Sequence, residues 1–194
     1  VAEIHLAPFL RRLKEGYVRG PLYRAAGGPL RDKLVWDFTL GLGFDSFECT
    51  RMGARVTAWE RSSEVYQKWL ELNALALTNE KLRPCFERIR VIFGDAREGW
   101  REEKALPDLV VLDPMFPEAK KQSQKRKKAM VLLRELAGDD LDADSLLDAA
   151  LETNCRRIIV KRPRLAPQLK PKLGLAPSHA VEGKSHRFDV WQPR

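Results

Sequence analysis

Leu34-Val-Trp-Asp-Phe-Thr-Leu-Gly-Leu-Gly43 is the stretch that decides the fold. Its first half, Leu34 to Phe38, is apolar enough for a strand covered on both faces. Gly41 and Gly43 then make a tight turn, and helical spacing follows from about Asp45 to Met52. Strand, glycine turn and helix in that order form the opening unit of a parallel sheet flanked by helices.

The same alternation continues along the chain. Val56-Thr-Ala-Trp59 ends at Glu60, Ile89-Arg-Val-Ile-Phe93 stops at Gly94-Asp95, and Leu109-Val-Val-Leu112 runs into Asp113-Pro114. Arg157-Ile-Ile-Val160 is a fifth strand. Ser62 is placed to cap a helix reaching about Thr78, with Val65, Trp69, Leu72 and Ala76 at helical spacing. A basic helix is expected over about 120–136, and a further one starts near Asp142 or Asp144. Strand-like pieces around Ala180 and from Phe188 to Trp191 lie too close together for a crossover helix, so they pair antiparallel. The expected fold is α/β and Rossmann-like: a mostly parallel seven-stranded sheet with an antiparallel C-terminal strand and helices on both faces. Residues 1–33 form a basic, helical lead-in to a domain over 34–194. The proline-rich stretch Pro163 to Pro177 is an ordered loop within that single unit.

At 194 residues, 44% hydrophobic and 32% charged, the chain suits one globular domain. No run reaches the roughly 18 apolar residues that span a bilayer, so no membrane partner is expected. The opening Val1 to Leu10, with Glu3, His5 and Pro8, lacks the apolar core of a secretion signal. Cys49, Cys85 and Cys155 form no CxxC pair, and His5, His179 and His186 lack ligand spacing. No metal and no disulfide framework are expected, and a reducing cytoplasm is the expected location. No oligomeric state can be assigned from these patterns. The net charge of +8 favours a polyanionic partner. Lys120, Lys121, Lys125, Arg126, Lys127 and Lys128 form one basic block, and Lys161 and Arg162 follow the fifth strand. These residues are candidate phosphate or RNA contacts; a solvated helix face and a solvated strand end are the competing readings.

In such a sheet, ligands bind beyond the carboxyl ends of the strands. Gly41 and Gly43 either let the backbone approach a ligand without a Cβ clash or merely make a tight strand-to-helix connection. Glu60 can accept from a ribose diol, its alternatives being a solvated strand end or a partner for Arg61. Asp95 can accept from an adenine amino group with Ala96 beside it. Asp45 either holds a cationic ammonium or simply serves as a helix-start carboxylate. A dinucleotide turn needs a third small residue, normally glycine, where Ser46 stands, and Phe44-Asp45 would crowd and repel a diphosphate. An acidic pocket suits S-adenosylmethionine better, with S-adenosylhomocysteine as its product.

Asp113-Pro-Met-Phe116 is the candidate catalytic stretch. An exocyclic amine is a poor nucleophile because its lone pair is delocalised into the ring. Hydrogen bonds from the amine to the Asp113 carboxylate and the Pro114 carbonyl favour a more tetrahedral nitrogen, and Phe116 can stack on the base. An Asp-Pro turn that merely closes a strand is the alternative.

Taken together, these blocks resemble the RsmJ-type small-subunit ribosomal RNA guanine-N2 methyltransferases. The likeness runs from about Arg11 to Trp191. It rests on Leu112-Asp-Pro-Met-Phe-Pro117, Asp140-Leu-Asp-Ala-Asp144, Val160-Lys-Arg-Pro163 and His186-Arg-Phe-Asp189, with weaker agreement at Arg19-Gly20, Asp37-x-Thr39-x-Gly-Leu-Gly43 and Glu60-Arg61. The resemblance implies a class I S-adenosylmethionine-dependent methyltransferase acting on a guanine N2 amine in 16S ribosomal RNA, with rRNA or the small ribosomal subunit as partner. It also implies cofactor contacts through Phe44-Asp45, Glu60-Arg61, Asp95-Ala96 and Asp113; Asp37 and Thr39, beside the glycine turn, are further candidate cofactor contacts. Familiar members carry a further N-terminal segment, a small residue in place of Leu40, and small hydroxyl residues in place of Asp95-Ala96. Adenine N6 or another base amine is the alternative target, and a non-catalytic RNA-binding fold the alternative role.

Overall fold

The computed structural model of the chain describes residues 2–15, 19–114 and 142–193. Its central strand is β1 (Leu34–Asp37), flanked in parallel by β2 (Arg55–Glu60) and β4 (Leu109–Leu112). Outside these lie β3 (Ile89–Phe93), parallel to β2, and β5 (Ile158–Pro163), parallel to β4. β7 (His186–Trp191) runs antiparallel to β5, and β6 (His179–Glu182) closes that edge antiparallel to β7. The seven strands follow the order β3-β2-β1-β4-β5-β7-β6, and the mostly parallel sheet with an antiparallel C-terminal strand is the one the sequence predicts. The antiparallel strand β7 sits between β5 and β6.

Strand alternation divides the apolar side chains between two cores. Val35, Val56, Ala58, Val111 and Ile159 face one core, with Phe9, Phe47, Trp69 and Phe86 packed on them. Trp36, Val110, Leu112, Ile158 and Val160 face the other, covered by Leu146, Leu147 and Ala150. The first core is roofed by α1 (Ala2–Lys14), α3 (Phe44–Arg51), α4 (Ser63–Thr78) and the short α5 (Arg83–Phe86), with α2 (Pro21–Ala26) beside them. α6 (Ala96–Gly99), a 3-10 turn at Trp100–Glu102, and α7 (Ala143–Glu152) lie on the second face.

Ser62 caps α4 by accepting from the Val65 amide, and Val65, Trp69, Leu72 and Ala76 are its buried face. The lead-in is part of the same packing. Phe9 of α1 stacks on Phe44 at 4.8 Å and meets Phe47 and Phe86 edge-on at 5.0 and 5.3 Å. The loop from β5 to β6 contains no helix. The Lys170 and Lys172 amides donate to Asp144 and Asp148 at 2.8 Å each, and Trp191 Nε1 donates to the Leu175 carbonyl at 3.1 Å. The basic helix expected over 120–136 lies outside the described residues. Among the described residues, no helix is long and apolar enough to cross a membrane.

Candidate active site

A cavity of about 470 Å³ opens where β1, β2 and β4 end, and reaches Gly94-Asp95 beyond β3. Phe38, Trp59, Ala96 and Leu146 supply apolar wall. Asp45, Glu60, Asp95 and Asp113 supply carboxylates, and Gly41, Phe44 and Lys161 complete the part nearest the glycine turn. The strand ends that the sequence nominated therefore do converge.

The turn is held from beneath by Asp37, which is 2% exposed and does not line the cavity. Asp37 accepts from the Thr39 amide at 3.0 Å and the Ser46 hydroxyl at 2.6 Å. Burial pushes its carboxyl up to about 7, with Asp45 and Asp113 adding to the rise and the bonds from Ser46 and Thr39 opposing it. Thr39 Oγ1 in turn accepts the Asp113 amide at 2.6 Å. Asp37 and Thr39 thus form a strut that sets the height of Asp113. This corrects the expectation that Asp37 touches the cofactor: its carboxylate is committed to the turn. Glu60, 8% exposed, accepts the Gly41 amide at 3.0 Å and the Ser62 amide at 2.9 Å, which fixes its carboxylate on the cavity wall.

The glycines play different parts. Gly41, at φ +52°, lines the cavity. Gly43 does not, and an added Cβ there would lie 2.1 Å from Cζ3 of Trp69. Gly43 is required by its φ of +72° and by close packing on α4, so of the two readings open in the sequence the tight strand-to-helix connection applies there and ligand approach does not.

Lys161 projects from β5 to the cavity. Its Nζ lies 2.8 Å from Oδ2 of Asp45 and 2.8 Å from Oδ2 of Asp113. Burial pulls the Lys161 pKa down, but Asp113 and Asp45 outweigh it and hold the ammonium charged well above its ordinary range. The expected RNA contact at Lys161 is thus an internal ion pair. Arg162, the next residue along β5, points to the opposite face, is 3% exposed, and donates to the Pro167 carbonyl. A guanidinium buried there cannot reach a phosphate, which corrects that assignment.

At the outer rim, Arg61 pairs with Asp142 at 2.7 Å and approaches Asp95 at 3.9 Å. Arg97 pairs with Asp95 and, at 2.6 Å, with Asp142. Burial raises the Asp95 pKa, but the bonds and charge of Arg97, with Arg61, bring it below the ordinary carboxylate value. Asp142 is lowered mainly by its bond from Arg61. Sequence reading singled out neither Arg97 nor Asp142 for the site; Asp142 was visible as a candidate helix start and within the Asp140–Asp144 block of the resemblance, with no role attached. Ala96 lies on the wall, and Pro114 is buried and is not among the residues lining the cavity. Phe116, Lys120, Lys121, Lys125, Arg126, Lys127 and Lys128 lie outside the described residues. Among the described residues, no group of three or more His, Cys, Asp or Glu is placed to hold a metal.

A cavity with a glycine turn, an apolar wall and several carboxylates fits a ligand that joins an adenosine to a cationic amino-acid tail. Comparison with known proteins agrees. The family described as "Putative SAM-dependent methyltransferase" matches residues 6–193. The ribosomal RNA small subunit methyltransferase J of Dechloromonas aromatica is 38% identical over 94% of this chain and 79% of its own length. That of Chromohalobacter salexigens is 40% identical over 94% of this chain and 72% of its own. The crystal structure of a SAM-dependent methyltransferase from Neisseria gonorrhoeae superposes with a TM-score of 0.70 at 35% identity, covering 89% of this chain and 66% of that one. The chain belongs to this family of S-adenosylmethionine-dependent methyltransferases, together with the small subunit methyltransferase J proteins.

Proposed function

We propose that the chain methylates the exocyclic N2 amine of a guanine in small-subunit ribosomal RNA, and that it works in the cytoplasm. The observation that carries this reading is Asp113. It stands at the end of β4 on the cavity wall, with its amide held by Thr39 and its carboxylate held by Lys161. The names of the relatives support ribosomal RNA as the substrate, and the resemblance through Asp113-Pro-Met-Phe116 supports the guanine amine.

When bound, S-adenosylmethionine supplies an electrophilic methyl group on a sulfonium sulfur. Glu60, fixed by two backbone amides, accepts from the ribose hydroxyls; such charged hydrogen bonds contribute about 1.5–3 kcal/mol each. Asp95 and Ala96 would hold the adenine, with Phe38, Trp59 and Leu146 as the apolar wall beside it. Asp45, in the first turn of α3, would take the ammonium. Phe44 and the backbone at Gly41 would hold the part nearest the glycine turn, with Arg61 at the rim.

Asp113 and the Pro114 carbonyl accept the two amine hydrogens, so the nitrogen lone pair is drawn out of the ring plane and aimed at the methyl group. The proton released once nitrogen is alkylated would pass to the Asp113 carboxylate and from there to solvent. Phe116 stacks on the base, a contact worth about 1–3 kcal/mol. A base inside a duplex hides this amine, so the substrate is single-stranded or flipped out. Lys120, Lys121, Lys125, Arg126, Lys127 and Lys128 follow the catalytic turn in sequence and supply phosphate contacts that position the RNA.

The test is methyl transfer from labelled cofactor to small subunits lacking the modification, followed by nucleoside mass spectrometry. N2-methylguanosine is the expected product. N6-methyladenosine would move the target to another base amine.

A further inference from the structure

Two cations lay claim to one carboxylate in this site. Asp45 is the residue proposed above to take the cofactor's ammonium, yet its Oδ2 lies 2.8 Å from the Lys161 ammonium. The same ammonium is 2.8 Å from Oδ2 of Asp113, the proposed acceptor for the substrate amine. The Lys161 side chain is 24% exposed. It lies on the boundary between the main cavity and a second one of about 270 Å³ lined by Arg12, Tyr23, Arg51, His186 and Phe188 among others. A flexible four-carbon stem lets the ammonium move between partners without moving β5.

We propose that Lys161 is a positioning residue that bridges Asp45 and Asp113 before the cofactor binds, and passes wholly to Asp113 once the cofactor's ammonium occupies Asp45. This rests on the reading of Asp113 given above. The handover couples the two halves of the reaction. The acceptor carboxylate receives its undivided counter-charge, and is aimed, only after the methyl donor is seated. The Lys161 ammonium lies between the like charges of Asp45 and Asp113 and lowers their repulsion. The nearby charged and titratable groups are Glu48 on α3, paired to Arg12 and Arg51, and His186 on β7. The His186 pKa is held down by burial and by the Lys161 charge itself.

Lys161→Met keeps the stem and removes the charge, and its effect has an unusual signature. Calorimetry at low salt is expected to show S-adenosylmethionine and S-adenosylhomocysteine binding about 3- to 10-fold tighter, because a competing cation is gone from a partly screened site. Methyl transfer is expected to fall by about 100-fold, within the range for a lost acid–base partner, and the acid limb of kcat/KM to move to higher pH. Lys161→Arg should hold both values close to wild type. A merely structural lysine would weaken binding and turnover together and leave the pH profile unchanged, which would overturn the proposal. So would normal cofactor affinity with only the salt dependence of RNA binding altered, since that marks a phosphate contact.

A measurement on the wild-type protein is independent of how the variant folds. The Lys161 ammonium nitrogen resonance should shift when S-adenosylhomocysteine is added, because one carboxylate partner is exchanged. A resonance unmoved at saturation would refute the handover. The identity of the methylated nucleoside tests the target base separately: a product other than N2-methylguanosine, with the binding and turnover split intact, would change the target and leave the role of Lys161 standing.

Discussion

Asp37 and Asp113 are neighbouring carboxylates with opposite duties. Asp113 faces the cavity, and Asp113→Ala is expected to remove turnover by about 100- to 10,000-fold, the usual span for a lost acid–base or hydrogen-bonding partner. Its melting temperature should stay within a few degrees of wild type, since the side chain is 37% exposed. Near-normal turnover in steady-state assays would remove Asp113 from the chemistry. Asp37 is buried and holds its proton up to about 7, whereas the unfolded chain releases it near 3.8. Between those values the folded state binds more protons, so stability contributed at this position declines as pH rises through the window. Asp37→Asn cannot titrate. Urea unfolding of both proteins between pH 4 and 7 should therefore show wild type losing ground to the variant, by at most about 1.4 kcal/mol per pH unit. Parallel curves would mean that Asp37 is ionised throughout.

Elements carry the sequence's message unevenly, and the glycine turn shows why. Leu34 to Phe38 and the four other parallel strands were legible as short apolar runs broken where the chain turns, nearly continuous in the central strands buried on both faces and interrupted by Arg90 in the partly exposed edge strand β3. The face of each residue at a strand end was not legible. Lys161 and Arg162 are adjacent and equally basic, and only the pairing of β5 between β4 and β7 sends one to the cavity and the other into the core. Likewise Gly43 could be recognised as a turn residue, but its partner Trp69 lies on a different helix, beyond the reach of local pattern. The same holds for the rim, where Arg97 meets Asp142 across a long gap in sequence. His186-Arg-Phe-Asp189 has a structural reason: Arg187 Nε donates to Asp189 Oδ1 at 2.7 Å, and the guanidinium also reaches the Pro163 and Arg164 carbonyls, clamping β7 to the end of β5. At the turn, Gly43→Ala combines a positive φ with overpacking against Trp69, and should cost about 2–4 kcal/mol of stability. Trp69→Leu opens space for the new methyl, so Gly43→Ala should cost at least about 1 kcal/mol less in that background. A double-mutant cycle with no coupling would show that the backbone conformation alone demands glycine.

At the scale of the whole molecule, the charge distribution bears on how RNA reaches the cavity. The net charge is +8, yet the cavity wall itself carries Asp45, Glu60, Asp95 and Asp113. An acidic site suits a cationic cofactor and repels a phosphate backbone, so the basic residues that hold RNA must lie outside it. Of the eight basic candidates read from sequence, Lys161 is held by Asp45 and Asp113 and Arg162 is buried. That leaves Lys120, Lys121, Lys125, Arg126, Lys127 and Lys128 as the stronger candidates, joined to Asp113 by only a few residues of chain. Each phosphate neutralised on a single strand adds about 0.7 to the slope of log affinity against log salt concentration. Replacing Lys125, Arg126, Lys127 and Lys128 with glutamine should therefore weaken RNA binding most at low salt and reduce the slope by up to about 3. Cofactor affinity, measured in parallel by calorimetry, should be unchanged because none of these residues is assigned to the cofactor. An unaltered salt slope would assign the segment to solvent and return the search for the RNA path to the basic residues elsewhere on the surface.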